Sequence, residues 1–227
     1  MIRTNYKIQI TGKFTVLLIL GFMLYSCSVE RFIPEDKFLF TDQRVELTPD
    51  SVVNDIDNIQ LDLESALRPD PVSSFLGGYP GVYFHYKANR EKPGFINRFL
   101  NKKFGQEPVY DTDVQTYEME QILLNRLENK GFFYSVATSE IVRDTTNKEA
   151  EAIYRLRMSK PYRLKTYQLD TDTLMVYNPI KNSLSESLIK KDMRFDLSAM
   201  KAERERIDGY LKERGYYNFN SAFLIFE

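Results

Sequence analysis

The feature that most constrains this chain is an internal repeat. Lys130-Gly131-Phe132-Phe133 returns 84 residues later as Arg214-Gly215-Tyr216-Tyr217, and at the same shift Leu123 falls on Ile207 and Leu127 on Leu211. In each copy an apolar helical stripe runs into a basic residue, a glycine and two aromatics. Glycine just past a helix takes φ > 0 without a Cβ clash, so it ends the helix and redirects the chain. A repeated unit of this size outranks single motifs in setting an architecture. The patterns around it make the unit strand-helix-helix-strand-strand. The expected fold class is therefore α+β, with tandem β-α-α-β-β units, the second one incomplete.

The first unit is expected over residues 36–160. Phe38-Leu-Phe40 and Arg44-Val-Glu-Leu47 read as a strand region, with Val45 and Leu47 on one face at period two. Ile56, Ile59, Leu63, Ala66 and Leu67 have helical spacing, and Pro69 and Pro71 stop that helix. Residues 68–110 are an insertion between the two helices. It holds the turn cluster Gly77-Gly78-Tyr79-Pro80-Gly81, a strand-like aromatic stretch Val82–Tyr86, and a short amphipathic helix over 93–104. Thr112 and Gln115 fit a capping box ahead of the long helix with the Met119, Ile122, Leu123, Leu127 stripe. Phe132–Ile141 then reads as a strand, Asp144–Asn147 as a turn, and Ala152, Tyr154, Leu156 and Met158 as the alternating face of a hairpin partner.

The second unit is expected over 161–227, truncated before its last strand. Tyr162–Leu169 reads as a strand, Asn182–Lys191 as a short helix, and Asp196 as the cap of a longer helix reaching Arg214. Tyr216-Tyr217 is expected to open another strand. In each aromatic pair one residue is assigned to the core and the other left outward, since strand side chains alternate.

The N-terminus reads as an export signal. Arg3, Lys7 and Lys13 precede the apolar run Phe14–Tyr25, and no acidic residue occurs before Glu30. Twelve helical residues rise only about 18 Å, too short for a bilayer core of about 30 Å, so the run is a signal h-region. Leu24-Tyr25-Ser26-Cys27 resembles a bacterial lipobox, which makes Cys27, the chain's only cysteine, the expected lipidation site. Residues 1–26 are then a signal peptide and 27–35 a lipidated tether. Cleavage leaves 201 residues with 28 basic and 32 acidic side chains.

Residues 24–227 resemble the N-terminal, POTRA-containing region of the BamA/TamA family (surface antigen type) of outer-membrane assembly proteins, in its lipoprotein-signal variety. Beyond the lipobox, the resemblance is carried by Phe32-Ile-Pro-Glu-Asp-Lys-Phe-Leu-Phe40, Glu107-Pro-Val-Tyr-Asp111, Phe195-Asp-Leu197, Glu203-Arg-Glu-Arg-Ile207 and Arg214-Gly-Tyr-Tyr-Asn-Phe219. It implies that each β-α-α-β-β unit is a POTRA domain. It also implies a periplasm-facing, lipid-anchored location at the outer membrane. The implied partners are unfolded outer-membrane polypeptides or other assembly-complex subunits. Family members continue into a β-barrel; this chain stops at Phe223-Leu-Ile-Phe-Glu227, and is expected to be the N-terminal part of a longer protein.

A small sheet with an open edge takes an extended polypeptide as an added strand, its backbone supplying sequence-tolerant hydrogen bonds. The candidate edge is Phe132, Phe133, Tyr134, Ser135, Val136, Ala137 and Thr138. Lys102 and Lys103, with Phe95, Phe99 and Phe104, are candidate contacts to a membrane surface; the bland alternative packs those aromatics on the domain. A scaffold binding one folded partner is the competing functional class.

Other classes find little support. Net charge is −1, from 31 basic and 32 acidic residues, so no excess of cations exists to neutralise nucleic-acid phosphates. One Cys and one His make neither a thiolate zinc site nor a two-imidazole mechanism. His85 lacks a nucleophile or acid in motif spacing. Asp55/Asp57 and Asp170/Asp172 read as turn and cap carboxylates. Gly77-Gly78 lacks the helix and Lys of a phosphate loop. No catalytic residue, metal ligand or cofactor is expected, and the chain is read as a non-enzyme.

Overall fold

The computed structural model describes residues 29–170 and 173–226. The elements that position the site are β1 (Leu39–Pro49), α1 (Ile56–Glu64), α2 (Pro80–Ala88), α3 (Phe95–Phe104), α4 (Thr116–Asn129), β2 (Val136–Asp144), β3 (Glu149–Met158), α5 (Tyr177–Ser183) and α6 (Leu197–Lys212). The fold is α+β and, among the described residues, has one three-stranded sheet in the order β1-β3-β2. Up to β3 the elements run β-α-α-β-β, with α2 and α3 inserted between α1 and α4.

The described chain divides into two compact units, and both draw on the strands. One holds the described residues up to Arg44, with Leu67–Met119 and Ser139–Tyr154; the other holds Val45–Ala66, Glu120–Thr138 and the chain from Arg155 on.

In the first unit, Leu39 N–H donates to Lys148 O (2.8 Å) and Thr41 Oγ1 to Ala150 O (3.3 Å). In the second, Asp50 N–H donates to Met158 O (2.9 Å). Numbers rise together along both strands, so β1 and β3 are parallel, while β3 and β2 form the antiparallel hairpin. β3 is central, and Ala150, Ala152, Tyr154, Leu156 and Met158 are all buried, as period two requires of a strand with one covered face.

In the first unit a core cluster joins Val29, Ile33, Leu39, Val72 and Val82, with Tyr79, Tyr83 and Tyr86 packed against it. The residues read as a tether are thus docked from Val29 onward: Glu30–Phe32 make a 3-10 turn and Phe32 stacks on Tyr86 at 5.4 Å. The stretch Val82–Tyr86, expected to be strand-like, lies inside helix α2. Its start is Pro80 at N1, where the missing N–H has no partner to lose.

In the second unit the helices bury Ile59 and Leu63 from α1, Leu123 and Leu127 from α4, and Met200, Ile207 and Leu211 from α6. α4 starts at Thr116 rather than behind Thr112, because residues 111–113 form a separate 3-10 turn. α6 starts where the sequence places it: the Asp196 carboxylate accepts from Ser198 N (2.7 Å) and Ala199 N (3.1 Å). The expected helix Asn182–Lys191 is instead α5, Tyr177–Ser183, with a 3-10 turn over Leu184–Glu186.

Two expected strands of the second repeat do not form. Tyr162–Leu169 contributes one antiparallel bridge, Arg163 to Arg194, flanked by Phe195 N to Tyr162 O (2.8 Å) and Leu164 N to Met193 O (2.9 Å). After Tyr216-Tyr217 the chain folds back on α6. Asn220 Oδ1 accepts from Ala222 N at 2.8 Å and Arg204 Nε donates to Ser221 O at 2.8 Å, so side-chain bonds close a turn where a strand was expected.

Candidate functional site

The sheet has two borders, and the structure treats them differently. The outer side of β1 is occupied in its N-terminal half by the insertion and its return. Phe40 N–H donates to Val109 O (2.8 Å), Phe40 O accepts from Val72 N (3.0 Å), and Leu39 bridges Tyr110 antiparallel. Asp111, 3% exposed, accepts from Phe38 N (3.0 Å) and from Arg143 Nε (2.6 Å), which pins this closure. β2 is the opposite terminal strand. A terminal strand directs half of its backbone N–H and C=O groups away from its only neighbour.

Of the seven edge residues named from sequence, only Val136, Ala137 and Thr138 lie in β2. Phe132–Ser135 form the turn between α4 and the strand. The reason is local. Gly131 has φ +90°, and Phe132 N–H donates back to Leu127 O (3.0 Å) while Gly131 N–H donates to Glu128 O (2.9 Å). This pair of bonds is a Schellman cap. Ser135 Oγ then donates to Phe132 O at 2.9 Å and accepts from Ser159 N at 3.2 Å, so its side chain is used in the turn. Phe132 is fully buried. Phe133 packs on Tyr162 (5.3 Å) and Phe195 (5.1 Å).

Along β2, Val136, Thr138, Glu140 and Val142 are exposed while Ala137, Ser139 and Ile141 are half-buried. The strand therefore has one open face. In the second unit, Val136 and Thr138 line a shallow cavity of about 270 Å³ with Thr48, Arg155, Leu156 and Arg157. Its lining groups are methyls, the hydroxyls of Thr48 and Thr138, and two guanidinium cations, of which Arg155 is paired with Glu46 (3.1 Å).

Arg194 braces the turn from the other side. Its guanidinium sits 5.3 Å over the Phe132 ring and holds Asp55 in a bidentate pair, 2.8 and 2.7 Å. The hydrogen bonds from Arg194 hold the Asp55 carboxyl below the usual carboxylate range, against the opposing effect of burial.

Sequence reading missed a buried carboxylate. Glu203, with no exposed surface, accepts from Leu188 N (2.9 Å), Arg206 Nε (2.9 Å), Arg206 Nη2 (2.8 Å) and Tyr167 Oη (3.2 Å). Burial pushes its pKa up; the bonds from Arg206 and Leu188 outweigh that and bring it down. Burial, then the Glu203 charge, pushes the Tyr167 hydroxyl up to about 12. A signal was present: Met200, Glu203, Ile207 and Leu211 form one helical stripe with a charge in it. Every Glu203 contact is internal, so it is a structural anchor.

α3 carries the two candidate membrane-contact residues. Lys102 and Lys103 lie in its last turn and are exposed. The aromatics beside them do not pack on the domain: Phe95, Phe99 and Phe104 are 82%, 49% and 62% exposed. The half-buried positions are Asn97, Leu100 and Asn101.

His85 lies on α2 with Nε2 2.9 Å from the Asn89 amide nitrogen and its ring edge-on to Tyr86. Among the described residues no group of His, Cys, Asp and Glu is arranged to hold a metal ion, and no helix is long and apolar enough to cross a membrane. Cys27 and Asp172 lie outside the described residues.

No protein-family model matches the chain. No curated protein matches it in sequence. Among solved structures it is similar to the crystal structure of Haemophilus influenzae BamA POTRA3-5, at 12% identity and a TM-score of 0.38 over 81% of this chain. The chain spans 59% of that chain's length.

Proposed function

We propose that this chain is a polypeptide-binding region of an outer-membrane protein assembly or translocation factor, engaging unfolded clients or partner subunits by strand addition at β2. The observation that carries this reading is the asymmetry of the sheet. The insertion closes the first half of β1, while β2 is a terminal strand with an exposed outer face. Main-chain hydrogen bonds to an added strand give affinity without a sequence requirement, which suits a surface that meets many unfolded polypeptides. The sequence resemblance to the BamA/TamA N-terminal region supplies the setting: a periplasm-facing chain held at the outer membrane by a lipid on Cys27. On the same resemblance, residues 36–160 are a first POTRA-like unit with an insertion at 68–110, and 161–227 begin a second. The role is binding, without catalysis or cofactor.

The test is site-specific photocrosslinking in the periplasm. Crosslinkers at Thr138 and Val142 should capture many polypeptides, each weakly, well above a crosslinker at Glu128 on the exposed side of α4. Capture no greater than at Glu128 removes the proposal. A single stoichiometric folded partner at Thr138 replaces it with the scaffold reading.

A further inference from the structure

The insertion presents a second surface that strand addition leaves unused. On α3, Phe95, Ile96 and Phe99 point to solvent at 82%, 69% and 49% exposure. Arg98, Lys102 and Lys103 share that outward side, and no acidic residue occurs between Lys92 and Gln106. The other side, Asn97, Leu100 and Asn101, is half-buried, and α3 packs against α2. Gly81 marks how close they come: a Cβ there would meet Phe104 O at 2.9 Å.

The arrangement of charge selects the occupant. Protein-protein interface cores are depleted in charged residues, with the polar groups kept to a rim. Here charge and apolar surface are interleaved on a convex helix, with Lys103 Nζ 5.2 Å from the Phe99 ring centre. That pattern belongs to helices lying in a bilayer interface, where apolar side chains sink and basic ones reach headgroups alongside them. Chain geometry points the same way. Val29 is buried in the cluster that contains Val82 of α2, and Cys27 is only two residues earlier, about 7 Å of extended chain. A lipid on Cys27 would leave the α2–α3 pair next to the membrane. More cations lie close by, with Arg31 and Arg90 stacked over Phe32 at 4.9 and 5.1 Å.

We infer that α3 docks flat on a bilayer rich in anionic headgroups, with Phe95, Ile96 and Phe99 below headgroup level and Arg98, Lys102 and Lys103 paired with lipid phosphates. The inference stands apart from strand addition at β2 and takes from the proposed function only the lipid on Cys27.

The chain has no Trp, so Phe95→Trp in the full chain is a sole reporter, with Ile96→Trp as a second. Vesicles of phosphatidylcholine with about one third phosphatidylglycerol should shift its emission to the blue, and brominated acyl chains should quench it. Replacing Lys102 and Lys103 together by Gln should lower the ratio of docked to free helix roughly 25-fold, since each near-surface cation contributes about a factor of five. Tyr217→Trp, far along the chain from α3 and 77% exposed in the parent, should stay unquenched. Three results overturn the inference. Both α3 reporters stay in water while the vesicles carry the chain, meaning that only residues before 29 anchor it. Quenching is equal in pure phosphatidylcholine. Or the shift appears only with an acidic polypeptide, which assigns the face to a protein.

Discussion

The two helix ends at Gly131 and Gly215 share a backbone and part ways immediately after it. Both glycines are left-handed, at φ +90° and +91°. Both caps use the same bonds: Phe132 N to Leu127 O (3.0 Å) matches Tyr216 N to Leu211 O (3.1 Å), and Gly131 N to Glu128 O (2.9 Å) matches Gly215 N to Lys212 O (3.1 Å). Yet Gly131 is buried and leads to the β2–β3 hairpin, whereas Gly215 is exposed and leads to a turn folded on α6. A cap is decided by a handful of adjacent residues. A strand is decided by whether a neighbour waits for it. The first repeat closes on a sheet with fully buried Phe132; the second closes on the buried polar anchor Glu203 and a small cluster of Ile180, Ile207 and Leu211.

The sharpest way to break this comparison is to remove each repeat's anchor. Glu203→Ala should cost about 3–5 kcal/mol, because Arg206 is left as a half-sequestered, unpaired cation. Phe132→Ala should cost a similar 3–5 kcal/mol as a core deletion. Urea midpoints of the two variants would measure both, and a loss below about 1 kcal/mol for Glu203→Ala would mean that the anchor is not what holds the second repeat.

The glycines come next. Gly131→Ala forces an L-residue to positive φ, at about 1–2 kcal/mol. Its Cβ would also meet Phe195 O at 2.8 Å, so the total should reach about 3 kcal/mol. Gly215→Ala meets nothing within 4 Å and should cost only the conformational part, about 1–2 kcal/mol. Equal losses at the two sites would show that Phe195 gives way freely.

The smallest effect is a pH dependence. Asp55 has a lowered pKa because Arg194 hydrogen-bonds its carboxylate. A depressed carboxyl stabilises the fold above its unfolded value of about 3.9, and that contribution is lost as pH falls through the lower folded value. Wild type should therefore lose a small increment of stability below about pH 4 that Asp55→Asn does not lose. Parallel acid titrations of the two would detect it.

Sequence legibility followed the same division. The caps at Gly131, Gly215 and Asp196 were readable because a few adjacent residues determine them. So was the alternating face of β3. Helix α2 was not, since the aromatic and β-branched run Val82–Tyr86 has strand character in isolation, and only Pro80 at its head signalled a helix start. Phe132–Ser135 were misplaced into the strand because the length of a cap turn depends on Ser135 bonding to Phe132 and Ser159. Of the candidate edge, the sequence placed part in the strand. Val136–Thr138 were read as strand and lie in β2, but that the first half of β1 is closed depends on Val72, Val109 and Tyr110 returning to Phe40 and Leu39, a pairing set by tertiary packing. The outward aromatics of α3 were visible as an amphipathic stripe, although which side faced in was not.

The closure of β1 by the insertion has a consequence for stoichiometry. If strand addition occurs as proposed, a guest that follows a full border finds it at β2 among the described residues, and one such guest per copy is expected.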